Sequence, residues 1–280
     1  MVYFQPQRAA LSPRHRHELA KGCWGFLLVN AAQSYCRGMI TPSDYDARGW
    51  HVRPLFTEAI LDPDILAEMG RHPESRGESS WGTRNVLAAF VLSMRPKLFL
   101  EIGSHIGSGA VVVGAAMKAN GFGRMVCLEP ADHYHAILSH FIERAGVKDH
   151  VTPLKAFSTD PALPTLLGDK PDMVFIDANH SYSHAMRDIE IAANLLAPGG
   201  LIFLDDVGEP FSGEICEEGK GGVRGALLDF TRRRQDFSVV FFEPPFWLNP
   251  GGLALMARAP GRPKSTPKDW ISVAPSSLAR

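Results

Sequence analysis

From about residue 81 onward, short apolar runs alternate with longer segments in which apolar residues recur at helical spacing. Continuous apolar runs of this length, bounded by turn residues, are typical of parallel strands that are covered on both faces. The predicted strands are 97–100, 124–128, 151–154, 173–177, 201–205, 237–242 and 253–257, and the predicted helices are 84–94, 110–120, 133–145, 182–196 and 223–234.

This alternation predicts an α/β protein with a doubly wound, mostly parallel, seven-stranded sheet and an N-terminal helical extension. Residues 1–80 are rich in Pro, Gly, Arg and His, with a helical patch at 56–69, and we interpret them as a cap or oligomerisation region. The main domain is predicted to span 81–259. Residues 260–280 are rich in Pro and Ser, a composition typical of disordered tails.

Composition narrows the functional classes. The 280 residues are 45% hydrophobic and carry a net charge of −1, so no overall charge favours nucleic acid or an acidic membrane. Four scattered cysteines without a CxxC pair fit a reducing compartment, and we predict a cytoplasmic protein. A basic then apolar stretch at 8–29 faintly resembles a secretory leader, but Asn30 and Gln33 interrupt its apolar part, so an ordinary helix is favoured.

Acidic residues follow two neighbouring strands of the predicted sheet. Asp177 ends the run 173–176, and Asp205 and Asp206 end the run 201–204, which begins after a Pro-Gly-Gly turn. Ligands of open α/β sheets bind beyond the carboxyl ends of the strands. Three carboxylates gathered there repel one another unless a cation neutralises them, so the pattern predicts a metal site. The alternative is that Asp205 or Asp206 caps the following turn.

A glycine-rich loop follows the first strand, in the segment Glu101-Ile-Gly-Ser-His-Ile-Gly-Ser-Gly109. Its spacing does not fit the G-x-G-x-x-G dinucleotide fingerprint. It fits a nucleoside with a short charged tail, whose ammonium group Glu101 can orient. The alternative is a tight strand-to-helix turn. The residues expected to contact such a ligand are Glu101, Gly103, Ser104, Gly107 and Ser108.

Two further positions fit the same ligand. Glu129 ends the second strand, where a carboxylate can accept hydrogen bonds from ribose hydroxyls, although a surface carboxylate at a strand end is the simpler alternative. Phe157 and Ser158 follow the third strand and offer an aromatic face and a hydroxyl to a purine, although an ordinary loop is an equal alternative.

Together, Glu101 to Gly109, Glu129, Ser158, the segment 175–180 and the segment 198–206 resemble a class I S-adenosylmethionine-dependent methyltransferase. They are most similar to the cation-dependent O-methyltransferases of the catechol, caffeoyl-CoA and macrolide-sugar kinds. The resemblance covers about residues 81–258 and implies S-adenosylmethionine and Mg²⁺, or another divalent cation, as cofactors. It implies Asp177, Asp205 and Asp206 as metal ligands, with Asp177 also near the cofactor.

His180 stands where the catechol and caffeoyl-CoA enzymes carry a lysine proposed as the base. An imidazole accepts a proton readily at neutral pH, so His180 and Asp177 are the predicted catalytic residues. His180 can instead ligate the metal or cap the helix that follows.

The sequence therefore favours a Mg²⁺-assisted O-methyltransferase that acts on a hydroxyl of a small molecule, with a sugar or secondary metabolite preferred over a catechol. We expect a homo-oligomer without nucleic-acid or membrane partners. Two alternatives stay open: a metal-independent methyltransferase, and a non-methylating protein of the cephalosporin-hydroxylase kind. Glu214, Glu217 and Glu218 are interpreted as a lid, and Phe246 and Trp247 as acceptor-pocket or core residues.

Overall fold

A computed structural model describes residues 60–75, 79–208, 220–243 and 251–258. Several predictions lie outside these residues. They concern most of the N-terminal extension, the tail from 260 onward, the acidic lid segment with Glu214, Glu217 and Glu218, and the pair Phe246 and Trp247.

The described chain alternates strands and helices as the apolar pattern predicts. The strands are β1 (Leu98–Ile102), β2 (Arg124–Leu128), β3 (Val151–Leu154), β4 (Met173–Ile176), β5 (Leu201–Asp205), β6 (Phe237–Phe242) and β7 (Leu253–Arg258). The helices are α1 (Pro63–Arg71), α2 (Trp81–Met94), α3 (Ser108–Asn120), α4 (Asp132–Arg144), α5 (Leu163–Leu167), α6 (Tyr182–Leu195) and α7 (Gly222–Arg233).

The strands form one seven-stranded sheet in the order β3-β2-β1-β4-β5-β7-β6. The first five strands pair in parallel, and β7 runs antiparallel between β5 and β6. The mostly parallel, seven-stranded α/β prediction is therefore confirmed. Because the strand order reverses between β1 and β4, the loops after these strands diverge and leave a crevice at their carboxyl ends.

Helices cover both faces of the sheet and create two hydrophobic cores. Side chains of β1 alternate between them: Phe99 packs with α1, α2, α3 and α4, whereas Leu98 and Leu100 pack with α5, α6 and α7. This alternation follows from the pleat of a strand, which sends successive side chains to opposite faces. It also places Glu101 on the face of Phe99, beneath α3.

The predicted elements differ from the observed ones mainly at their ends. Helix α2 begins three residues before the predicted position 84, because the Ser80 side chain accepts a hydrogen bond from the Thr83 amide and caps the first turn. Of the predicted helical patch 56–69, residues 56–59 lie outside the described residues, and the rest overlaps α1, which begins at Pro63 and ends at Arg71. Helix α5, only five residues long, has no counterpart among the predicted helices.

Helix α1 packs on α4, and its buried residues Ile65, Leu66 and Met69 belong to the same core as β1. The division of the chain at residue 80 stays a prediction, but this helix shares the hydrophobic core of the sheet. None of the helices in the described ranges is long and apolar enough to cross a membrane.

Candidate active site

A cavity of about 650 Å³ opens at the carboxyl ends of the parallel strands, where the strand order reverses. Residues after four neighbouring strands line it: Gly103 after β1, Glu129 after β2, Ser158 after β3 and Asp177 after β4. The cavity therefore lies where the fold predicts a ligand to bind.

The glycine-rich loop forms one wall of this cavity. Gly103 and Gly107 have φ angles of 86° and 95°, in the left-handed region that favours glycine. A Cβ at Gly103 would also collide with the backbone of Asp177 and Ala178. These two glycines let the chain turn sharply from β1 into α3 while staying close to the loop after β4.

Glu101 is buried beneath the first turn of α3. Its carboxylate lies against Gly109, where any Cβ would collide with Oε1. Among the described residues, its Oε2 atom has no hydrogen-bond partner. Burial raises the pKa of Glu101 to about 8, with smaller contributions from the charges of Asp177 and Glu129 and an opposing effect of Ser104. A buried carboxylate of this kind favours either a proton or a cationic group.

Glu129 is held by the backbone. Its Oε2 accepts a hydrogen bond from the His105 amide at 2.9 Å, and its Oε1 accepts one from the Ala131 amide at 2.9 Å. Each carboxylate oxygen keeps a free lone pair, because one acceptor oxygen can take two hydrogen bonds. The carboxylate can therefore accept two further donors from the cavity.

His105 also lines the cavity, although sequence reasoning missed it. Its φ of 47° and its position between the two glycines place its ring 4.4 Å from that of Tyr134. Burial lowers the pKa of His105, so the neutral imidazole is favoured despite the nearby charges of Glu129 and Asp177. In the sequence, only the position of His105 inside the glycine-rich loop indicates that it lies near the ligand.

The end of the cavity after β3 combines an aromatic ring with a hydroxyl. Phe157 is 66% exposed, an unusual value for a phenylalanine, and its side chain borders the cavity. The Ser158 hydroxyl donates a hydrogen bond to Oδ1 of Asp188 on α6, at 2.5 Å. Asp188, a second residue that sequence reasoning missed, also lines the cavity.

An acidic cluster occupies the opposite end of the site, after β4 and β5. One ligand atom each from Asp177, His180 and Asp206 lies within 4.8 Å of the other two. His180 Nε2 is 3.1 Å from Oδ2 of Asp206 and 3.8 Å from Oδ1 of Asp177. Asp206 has a φ of 58°, which is uncommon for a non-glycine residue and turns the chain directly after β5.

The charges of this cluster act on one another. Burial raises the pKa of Asp206 to about 7, an effect that the charge of His180 opposes and that of Asp177 reinforces. The pKa of His180 is raised, first by its hydrogen-bonding interaction with Asp177 and then by the negative charge of Asp206, while burial opposes the change. The cluster therefore favours additional positive charge.

Asp205 lies on the other face of β5. It is buried, and its Oδ1 accepts a hydrogen bond from the Thr83 hydroxyl of α2 at 3.2 Å. Burial, then the charges of Asp177 and Asp206, raise the pKa of Asp205 well above its usual value. Of the three predicted metal ligands, Asp177 and Asp206 come together with His180, whereas Asp205 lies outside that set and faces Thr83.

The remaining predicted contact residues divide into two groups. Gly103, Glu129, Phe157, Ser158, Asp177 and His180 line the cavity. Glu101, Ser104, Gly107 and Ser108 are buried in and beneath the loop that forms its wall.

These residues fit both predicted cofactors. Glu101, buried with an unpartnered oxygen, suits the ammonium group of a methionine moiety, and the backbone-held Glu129 suits a ribose. Carboxylate oxygens are ligands that Mg²⁺ prefers, and an imidazole nitrogen also suits other divalent metals. Asp177, Asp206 and His180 therefore form a suitable donor set.

Comparison with known proteins agrees with this geometry. Residues 100–207 match a family described as a methyltransferase domain. A catechol O-methyltransferase from Mycobacterium tuberculosis is 34% identical over 115 residues, which make up 41% of this chain and 50% of that protein. The match thus spans about half the length of this curated relative.

Solved structures share the fold. An O-methyltransferase from Bacillus cereus in complex with SAH superposes with a TM-score of 0.59 at 19% identity, covering 76% of this chain and 95% of that one. The O-methyltransferase TomG from Streptomyces achromogenes, in complex with SAM, gives 0.59 at 21% identity, covering 78% and 96%. The matched segment runs from within β1 to the end of β5 and includes the loops that line the cavity, so this part of the chain is similar to methyltransferase domains, and its fold is that of the solved O-methyltransferases.

Proposed function

We propose that the protein is an S-adenosylmethionine-dependent, divalent-cation-assisted O-methyltransferase that acts on a hydroxyl of a small molecule. One observation carries this proposal: a single cavity is lined at one end by Glu129 and the loop that covers the buried Glu101, and at the other by Asp177 and His180, which lie beside Asp206. A sugar or secondary metabolite is the favoured acceptor, and the relative's name adds catechols to the candidates.

The chain's own residues provide most of what methyl transfer needs. Glu101 would hold the ammonium group, Glu129 would accept hydrogen bonds from the ribose, and Phe157 and Ser158 would contact the purine. These contacts would fix the cofactor, which supplies the methyl group, next to the acidic end of the cavity. Such positioning alone lowers the barrier substantially, because the two reactants no longer have to find each other in solution.

At the acidic end, Asp177 and Asp206 would hold the cation, and the buried Asp205 lies behind them, where it accepts a hydrogen bond from Thr83. A bound divalent cation would lower the pKa of the acceptor hydroxyl as a Lewis acid. His180 lies at the cavity surface, next to Asp206, and receives the proton from the acceptor either directly or through one water molecule.

A second candidate is a methyltransferase that works without metal. The pair formed by His180 and Asp206, 3.1 Å apart, resembles a base and its orienting carboxylate and favours this alternative. It predicts that EDTA leaves the rate unchanged and that His180→Gln abolishes it.

The test is methyl transfer from labelled S-adenosylmethionine to a panel of phenols, catechols and sugars, with EDTA and with Mg²⁺ added back. We expect transfer to oxygen that stops with EDTA and returns with Mg²⁺. A protein that does not bind the cofactor defeats the whole proposal, whereas turnover indifferent to EDTA defeats its metal half. Cytoplasmic location and homo-oligomerisation stay predictions.

A further inference from the structure

At the β3 end of the cavity, Ser158 and Asp188 form a hydrogen bond in which the hydroxyl is the donor. The Ser158 hydroxyl donates to Oδ1 of Asp188 at 2.5 Å, a length typical of a hydroxyl bound to an ionised carboxylate. An ionised carboxylate can only accept hydrogen bonds, so the single proton of Ser158 is committed to Asp188. The hydroxyl oxygen keeps its lone pairs and can only accept from a ligand.

The surroundings of Asp188 preserve this direction. The side chain is buried, with 6% of its surface exposed, and packs at the base of the cavity wall formed by α6. Burial raises the pKa of Asp188, and the Ser158 hydrogen bond and the charges of His184 and Arg187 oppose part of that change. The direction of the bond rests on its geometry, in which the hydroxyl donates to Oδ1 at 2.5 Å. The pair therefore forms a fixed acceptor at the cavity surface.

The Ser158 hydroxyl lies where the base of a bound nucleoside is expected. Glu129 follows β2 and Ser158 follows β3, and adjacent strands lie about 4.8 Å apart. Ser158 and the exposed ring of Phe157 line the same cavity as Glu129, on its β3 side, so the base of a nucleoside whose ribose binds Glu129 would lie within their reach. Adenine presents an amino group at position 6, whereas hypoxanthine presents a carbonyl oxygen there.

We infer that Asp188 is a positioning residue that makes Ser158 an obligate hydrogen-bond acceptor, so that the cavity selects a 6-aminopurine nucleoside over its 6-oxo analogue. This inference rests on the proposed function, because it assigns the base-recognition contact of the same cofactor. The selection works by repulsion as well as attraction. A 6-oxo group would face the lone pairs of Ser158 and leave two acceptors opposed.

The experiment measures binding of S-adenosylhomocysteine and of S-inosylhomocysteine to the full chain by isothermal titration. Wild-type protein is expected to prefer the adenine compound by about 10- to 100-fold, the value of one hydrogen bond and one avoided repulsion. Asp188→Leu has similar bulk but no acceptor, so it frees the hydroxyl to rotate and donate. The preference should fall to about threefold or less, mainly because the inosine compound binds better.

Ser158→Ala is the second variant and should lose the same preference, which keeps the test valid if Asp188→Leu does not fold. Glu190→Gln is the matched control. It removes a carboxylate from the same helix that pairs with Arg233 at 3.2 Å on the exposed side, and it should keep the wild-type preference.

A preference that survives both Asp188→Leu and Ser158→Ala overturns the inference, and so does an equal loss of affinity for both compounds, since that is what structural damage produces. Wild-type protein that binds neither compound overturns the inference together with the proposed function. Wild-type protein that binds both equally overturns the inference alone.

Discussion

The two ends of the cavity differ in how their carboxylates are arranged. At the end formed by β1 and β2, Glu129 is stabilised by two backbone amides and Glu101 is separated in a buried site of its own. At the end formed by β4 and β5, Asp177 and Asp206 share one imidazole, with Asp205 close behind. At the first end the two carboxylates are kept apart and Glu129 is held by the backbone, whereas at the second end the carboxylates lie close together.

The backbone preorganises the β1–β2 end of the site. Glycine geometry and amide donors hold the β1–β2 end in place, so it can accept an organic ligand with little rearrangement. At the β4–β5 end, burial and then the charge of Asp177 raise the pKa of Asp205, and burial, reinforced by the charge of Asp177, raises that of Asp206; a bound cation would offset these effects. A variant at one end of the cavity leaves the other end as an internal reference.

The largest effect is expected from Asp206→Ala, because it removes a cation ligand and the partner of His180. We expect the rate of methyl transfer to fall about 100-fold or more, while affinity for S-adenosylhomocysteine changes less than about threefold. Steady-state rates and isothermal titration of the same preparation measure both values.

Asp205→Asn is the companion variant, since its carboxylate accepts a hydrogen bond from Thr83 and lies outside the three-residue set. It should lose less activity than Asp206→Ala. Equal losses in the two variants would contradict the separate roles of these neighbouring acids.

A change at the opposite end should have the reverse profile. Glu101→Gln keeps the size of the buried side chain but cannot neutralise an ammonium group. Affinity for S-adenosylhomocysteine should fall about 10- to 100-fold, and the dependence of turnover on Mg²⁺ should be unchanged. Cofactor affinity like that of wild type would show that Glu101 does not contact the cofactor.

The raised pKa of Glu101 predicts a pH dependence of cofactor affinity. Without a cationic ligand, Glu101 holds its proton up to about pH 8, and the ammonium group binds the ionised form. Affinity should therefore rise about tenfold per pH unit up to about pH 8 and then level off. Titration calorimetry between pH 6 and 9 measures it, and the Glu101→Gln profile should be flat over this range.

The smallest effect concerns the stability of the ligand-free protein. Glu101 and Asp206 have pKa values of about 8 and about 7 in the folded chain, above their ordinary values, so the folded state binds their protons more tightly. Their contribution to stability is present at low pH and is lost as the pH rises toward 8. Tm should fall by several degrees over this interval.

Saturating Mg²⁺ should raise Tm by about 5 °C at pH 8 and by less at pH 6, because it competes with protons for Asp206. Differential scanning fluorimetry measures both changes. If Mg²⁺ raised the Tm of Asp206→Ala by the same amount, the cation would bind at a site that does not include Asp206.

Most elements could be predicted from the sequence because their signals are local. Strands β3 and β6 have the predicted bounds, since apolar runs and turn residues mark both ends. The antiparallel direction of β7 could not be predicted, because an apolar run does not encode its direction. Helix α5 was missed because it has only five residues and contains Pro164.

Site residues that directly follow a strand, such as Glu129 and Asp177, could be predicted from the sequence. Contacts between residues that are far apart in the sequence could not be predicted. Asp188 acts on Ser158 from 30 residues away, and Thr83 reaches Asp205 from 122 residues away. Adjacent acids at a strand end also point to opposite faces, so Asp205 and Asp206 look alike in sequence and differ in surroundings.

Titration of Mn²⁺ into protein saturated with S-adenosylhomocysteine shows whether one cavity holds a nucleoside cofactor and a divalent cation side by side. We predict one ion bound per chain in wild type and in Glu190→Gln, and no binding in Asp206→Ala. Stoichiometric Mn²⁺ binding that survives Asp206→Ala, or no Mn²⁺ binding to the cofactor-saturated wild type, would contradict it.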